Sequence, residues 1–301
     1  MIQQHSRRWL LQLGVALVLL TVMGVLINNL TVNLIRTGLG LSFEWLGRPA
    51  GFALSEHAAP YRPSDSYAWA LVVGWLNSLK VIASGLIAAT LLGVLAGSAR
   101  RSVNPLLRRI STLYVVLVRQ VPLLLQLLFW YFVALLGLPQ SNGLPLGSLL
   151  TLTNQGISIL GIQLSVEFTA VLLGLSVFTG ASIAEVVRGG LEAVPRGQWE
   201  AFRSLGLPEP VGMRQVVLPQ ALPAILPGLT SQYLNLAKNS TLAIAVGYAD
   251  LYAVSDTTIT QTGRAVEGFL LLMVSFLILN LLINGGMQVL NRVVIQRGQR
   301  S

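Results

Sequence analysis

Apolar residues run in long blocks along this chain, over 10–27, 69–99, 110–137, 166–187, 226–248 and 268–290, with shorter polar stretches between them. Blocks of roughly 20 residues match the thickness of a bilayer core at the helical rise, so the pattern predicts about six transmembrane helices. The regularly alternating short strands of a membrane barrel are absent, and the predicted class is an all-α polytopic membrane protein. The first block follows Arg7 and Arg8 and lacks a small-residue cleavage pattern after it, which reads as a retained first span.

The polar stretches predict loops. Residues 28–68 mix Arg36, Arg48, Arg62, Glu44, Glu56 and Asp65 with several prolines, the pattern of an external loop with short turns at Pro60 and Pro63, read as a solvated linker in preference to a segment lying over the pathway mouth. Residues 138–165 are free of charge and rich in Gly, Pro and small polar residues, which reads as an external loop with a partly inserted short helix. Asp250, Asp256, Arg264 and Glu267 mark a second external loop. Pro122 predicts a kink in the third span, and Pro219, Pro223 and Pro227 predict an irregular start to the fifth. The chain divides into residues 1–68, a main membrane domain over 69–294 with a polar loop at 188–220, and a tail over 295–301.

Composition and charge sharpen this. Of 301 residues, 53% are hydrophobic and only 10% charged, against roughly a quarter charged in soluble domains. The net charge of +9 comes from residues placed between apolar blocks, and no basic stripe with interleaved aromatics suggests nucleic acid. With six spans, 13 of the 20 basic residues fall on one side, which the positive-inside rule makes cytoplasmic along with both termini. There are no cysteines, and the two histidines, His5 and His57, lie far apart, so neither disulfide nor metal chemistry is expected.

The stretch with the most distinctive chemistry is Arg196 to Pro219. Pro195 suits a helix start and Gly206 a left-handed stop ahead of Pro208. Trp199, Phe202 and Leu205 recur every three residues, with Glu200 and Arg203 on an adjoining face. Two readings fit: an interfacial amphipathic helix, or a docking helix that offers an aromatic ridge to a soluble partner.

Glu200-Ala201, then Gly206, then Val216 and Leu218-Pro219 resemble the E-A-A loop of membrane subunits of ATP-binding-cassette importers. Arg119 to Gln126, Glu185 to Gln198 and Lys238 to Leu242 are similar to the polar amino-acid permease branch, and Gln232 to Asp250 is most similar to a subunit of general L-amino-acid importers. The resemblance covers about 51–294. It departs from the usual pattern at Phe202, where a second alanine is common, and at Pro223, where arginine often stands.

The resemblance implies a type I importer permease of the bacterial inner membrane. Its expected partners are a cytoplasmic ATPase dimer, a second permease subunit, which is a paralogue or a second copy, a periplasmic amino-acid-binding protein and an L-amino-acid substrate within membrane lipid. Arg196, Trp199, Glu200, Ala201, Phe202, Arg203 and Gly206 would form the ATPase-coupling helix, with Trp199 and Phe202 filling the ATPase groove. Arg119 would sit near the cytoplasmic end of its span.

Polar residues inside the apolar blocks supply pathway candidates: Lys80 in the second span and Lys238, Asn239, Ser240 and Thr241 in the fifth. A snorkelling Lys80 and a cluster that ties the fifth span to its neighbours are the structural alternatives. No phosphate-cradling loop precedes either lysine and no hydrolase motif is present, so no cofactor and no enzymatic step is expected on this chain. The competing functional class is a self-contained secondary transporter or channel.

Overall fold

The computed structural model describes residues 2–36, 38, 40–138, 144–145, 150–159 and 162–298. The tail residues 299–301 and parts of the 138–165 stretch lie outside the described residues. Among the described residues there are ten α-helices: α1 (Ile2–Arg36), α2 (Tyr67–Ala99), α3 (Pro105–Gln120), α4 (Leu123–Leu128), α5 (Val166–Glu192), α6 (Arg196–Ser204), α7 (Glu209–Gly212), α8 (Leu218–Asn239), α9 (Leu251–Thr262) and α10 (Ala265–Gly298).

By length and composition, α1, α2, α5 and α10 are apolar enough to cross a membrane, and α3 with α4 and its extension makes a fifth span if the two pieces are counted together. The remaining predicted span, the fifth, falls on α8, which has a spanning length of 22 residues, but its Gln, Ser, Asn and Lys residues dilute its apolar character.

The helices pack as they do because glycine lets backbones approach. A side-chain carbon on Gly93 would stand 2.4 Å from Ile183 and 2.9 Å from the Gly180 carbonyl, and one on Gly97 would stand 2.7 Å from the Ala184 carbonyl. α2 and α5 are therefore in backbone contact through the small-residue face of α5, the arrangement that its Gly and Ala content predicts. Around this pair, Ile183, Val187, Ala221, Ile225, Leu236 and Leu279 bury a core shared by α5, α8 and α10. In contrast, no residue in the apolar window of α1 is buried.

Five expectations are corrected. The third span is broken rather than kinked: α3 and α4 meet at 106° about Val121-Pro122. Gln126 makes this possible by donating to the Val118 and Val121 carbonyls at 2.8 and 2.9 Å, which the break leaves without helical partners. Arg119 falls in the last turn of the 16-residue α3.

α8, second, is continuous through Pro223 and Pro227. Both prolines lie on its exposed side, Pro219 stands in the first turn where no donor is needed, and a π-helical turn at Met213–Val217 absorbs the entry.

The described part of the 138–165 stretch is an antiparallel meander, β1 (Leu144–Pro145), β2 (Leu150–Thr153), β3 (Gly156–Ile159) and β4 (Ile162–Leu164), in that spatial order. The chain is thus mostly, not wholly, helical. The expected loop after Tyr248 is α9, capped by Asp250 and closed by Gly263 at φ +69°.

The 28–68 linker is corrected as well. α1 extends to Arg36, and residues 44–67 pack rather than trail in solvent. Trp45, Ala50, Tyr61 and Tyr67 join Ala70, Val73, Ala249 and Val254 in a buried cluster at the end of the bundle opposite α6. Trp45 and Tyr67 meet edge to face at 5.7 Å.

Candidate functional site

α6 is built as its residues require. Pro195 precedes it with φ −55° and ψ 138°, a start that needs no amide donor. Gly206 ends it at φ +68°, the Gly206 amide bonding the Arg203 carbonyl at 2.9 Å and the Leu207 amide reaching the Phe202 carbonyl at 3.2 Å.

The aromatic face points the other way from the expected ridge. Trp199 is 8% exposed and Phe202 only 1%, both buried against Leu191, Val194, Val217 and Ala221 at the ends of α5 and α8. The Phe202 ring lies on Gly212, where a side-chain carbon would come within 2.2 Å of it. The guanidinium of Arg101, in the turn after α2, stacks 4.4 Å from the centre of the Trp199 ring. Leu205, at 77% exposed, does not join them.

Of the residues expected to couple to an ATPase, Arg196, Glu200, Ala201, Arg203 and Gly206 are exposed. Arg203 bonds Glu209 at 2.8 and 3.2 Å rather than Glu200, and this pairing holds the Glu209 carboxyl below the usual carboxylate range. Among the described residues, Arg196 and Glu200 have no ion-pair partner. They line a cavity of about 580 Å³ with Arg101, Glu192, Trp199 and Arg203.

Directly behind α6, an ion network binds the spans together. Glu185 of α5 pairs with Arg100 at the end of α2 and with Arg188, whose other arm bonds Glu192 at 2.6 Å. Glu185 and Arg188 pair as their spacing suggests; Arg100 and Arg101, in the basic loop, are partners that the spacing did not reveal. The α5–α8 contact is also close, since a side-chain carbon on Gly190 would stand 2.2 Å from Ile225. α6 is therefore joined to the ends of α2, α5 and α8 by packed, short-range contacts.

The pathway candidates do not form one cluster. α8 ends at Asn239 and the chain tightens into a 3₁₀ turn over Ser240–Val246, closed by Gly247 at φ +79°. The break lies here and not at the prolines. Ser240 is buried and its hydroxyl donates to the Ala237 carbonyl at 2.9 Å, which takes it out of the candidate set as an open ligand. Thr241 donates to the Lys238 carbonyl at 2.8 Å, and Lys238 itself is exposed. Lys80 contacts none of these by hydrogen bond. Its ammonium lies 2.5 Å from a Glu56 oxygen and 4.3 Å from the centre of the Phe168 ring.

Asp250, which the sequence marks only as a loop charge, has a role in the fold. It caps α9 by accepting from the Ala253 amide at 2.8 Å, while its second oxygen has no hydrogen-bond partner among the described residues. Burial pushes its carboxyl up to about 7. Because the folded value lies above the unfolded one, this group's contribution to stability is fully present below the unfolded pKa and lost as pH rises through about 7. Asp250→Asn keeps the cap without the ionisation. Thermal denaturation across that range is expected to show the wild type losing stability with rising pH and Asp250→Asn staying level. Parallel pH profiles would contradict it.

Comparison with known proteins agrees with this architecture. Residues 89–296 match the family model described as "Binding-protein-dependent transport system inner membrane component". The chain is 35% identical to the putative amino-acid ABC transporter permease protein YhdX of Escherichia coli, with 95% of this chain and 93% of that protein covered. It is 34% identical to the general L-amino acid transport system permease protein AapQ of Rhizobium johnstonii, over 80% of each chain. Among solved structures, the crystal structure of an amino acid ABC transporter with histidines matches with a TM-score of 0.60 and 26% identity, over 75% of this chain and 94% of that one. An inward-facing MetNI methionine transporter chain, at 23% identity and TM-score 0.58, shares the fold. With a family model spanning most of its length and relatives aligned nearly end to end, the chain belongs to the binding-protein-dependent transport system inner membrane components, as a permease subunit of the amino-acid ABC transporter type.

Proposed function

We propose that this chain is the membrane gate of an ATP-driven importer that carries polar or general L-amino acids across the bacterial inner membrane, with both termini in the cytoplasm. The observation that carries the reading is α6. It is a short polar helix whose apolar side is buried on the ends of α5 and α8 and whose Arg196, Glu200 and Ala201 edge is left open. A cytoplasmic ATPase dimer, which binds the ATP that this chain has no motif to hold, closes on that edge and moves α6 as a rigid body. The role of Trp199 and Phe202 is to fix α6 to the spans rather than to enter the ATPase groove.

The exposed side of α8, through Pro223, Pro227, Ser231, Asn235 and Lys238, is the seam for a second permease subunit. Substrate passes there beside Lys238, Asn239 and Thr241, with Lys80 further along, after delivery by a periplasmic amino-acid-binding protein. Proteoliposomes holding the whole complex are expected to take up L-amino acids only with internal ATP and the ATPase present. Uptake that persists without either would favour a self-contained transporter.

A further inference from the structure

At the end of the bundle opposite α6, a charged contact is built where an apolar fold would not place one. Lys80 lies in the first half of the 33-residue apolar helix α2, with its side chain only 35% exposed. A lone ammonium at that depth is costly, so it needs an anion. Its anion comes from outside the helices. The segment 50–66 reaches over the bundle end and lowers Glu56, whose side chain is 15% exposed, so that one carboxylate oxygen meets the Lys80 ammonium and the other accepts from the Ser165 hydroxyl.

The strap is held beside this contact mainly by one residue. Asn77, fully buried, accepts from the Ala58 amide at 2.8 Å and donates to the Glu56 carbonyl at 2.9 Å and to the Ala249 carbonyl at 2.7 Å. Ser55 adds a bond to the Gly247 carbonyl at 3.2 Å. These contacts join the strap, α2 and the turn that follows the 3₁₀ segment. Glu56 thus sits where the three meet.

We infer that Lys80 and Ser165 form a carboxylate-recognition site that the chain's own Glu56 fills at rest, and that the α-carboxylate of an incoming amino acid replaces Glu56 there and releases the strap. A carboxylate with one oxygen on an ammonium and the other on a hydroxyl is the group a free amino acid presents. The Phe168 ring, 4.3 Å from the ammonium, supports the cation from its face whichever carboxylate is bound. The inference rests on the importer reading above, and its test separates the two.

The test uses the reconstituted complex and a mixture of labelled L-amino acids, comparing wild type, Glu56→Gln and the exchange Glu56→Lys with Lys80→Glu. Glu56→Gln removes the internal carboxylate, and ATP hydrolysis without amino acid is expected to rise about fivefold, the low end of typical coupling effects. The exchange restores an ion pair but presents a carboxylate to a carboxylate. It is expected to assemble normally and to stay at least about fivefold below wild type in uptake. An exchange variant with wild-type uptake, or unchanged hydrolysis in Glu56→Gln, overturns the inference and leaves a static ion pair. If the exchange fails to assemble, the isosteric Glu56→Gln decides alone. A wild-type complex with no ATP-dependent uptake would instead overturn the importer reading.

Discussion

Gly206→Glu is expected to leave the protein inserted in the membrane at normal levels and to abolish ATP-coupled uptake. Gly206 sits at φ +68°, and a side chain there would meet no atom within 4 Å, so the cost of any replacement is conformational rather than steric. For an L-residue that cost is about 1–2 kcal/mol. Spread over a whole membrane domain it is small, which is why insertion survives. Concentrated in the turn after α6, it redirects Pro208 and breaks the Arg203–Glu209 pair that returns the chain to the bundle. The new carboxylate also adds to Glu200 and Glu209 on the face offered to the ATPase. A loss of at least about tenfold in uptake follows if the turn positions α6, since each ~1.4 kcal/mol carries that factor. Gly206→Asn, which tolerates the left-handed region, should retain most activity. Normal uptake in Gly206→Glu would remove α6 from the coupling route.

Phe202→Ala is the second large effect, and its readout distinguishes an inward role from an outward one. The ring is buried on Gly212 and stands 6.1 Å from Trp199. Truncating a buried phenylalanine costs about 3–5 kcal/mol, here lost from the seat of α6 and not from the spans. Hydrogen exchange over 196–206 should quicken while that of α5 changes little, and uptake should fall although the ATPase still binds. Were Phe202 a plug in the ATPase groove, the same substitution would instead release the ATPase with exchange in α6 unchanged.

That inward orientation shows where the sequence stops being legible. A three-residue spacing slips by about 60° per step on a helix of 3.6 residues per turn. Trp199 and Phe202 therefore share a face, and Leu205 has rotated away from it. Nothing in the spacing states whether that face meets the chain's own core or a partner. The start and stop of α6 were readable because Pro195 and Gly206 act through their own backbones. The ring of Phe202 fills space above Gly212, and that complementarity spans nine residues of intervening chain.

The same distinction explains the other gaps. Long apolar helices were legible because bilayer thickness acts on local sequence. The β1–β4 meander was not, since a charge-free mixture of Leu, Ile, Ser and Thr satisfies a loop, a strand or an inserted helix equally. Pro223 and Pro227 suggested an irregular helix, yet α8 absorbs them because they face outward and a π-helical turn precedes them. Glu56 looked like one of several loop charges, and only the fold brings it to Lys80.

The central claim is that the Arg196, Glu200 and Ala201 edge of α6 is the cytoplasmic foothold through which an ATPase moves the spans. Because the chain has no cysteine of its own, Ala201→Cys gives a single reporter on that edge. A membrane-impermeant maleimide should modify it in inside-out vesicles and not in intact cells, and bound ATPase should protect it. Modification from the outside alone, or no protection by the ATPase, would contradict the account.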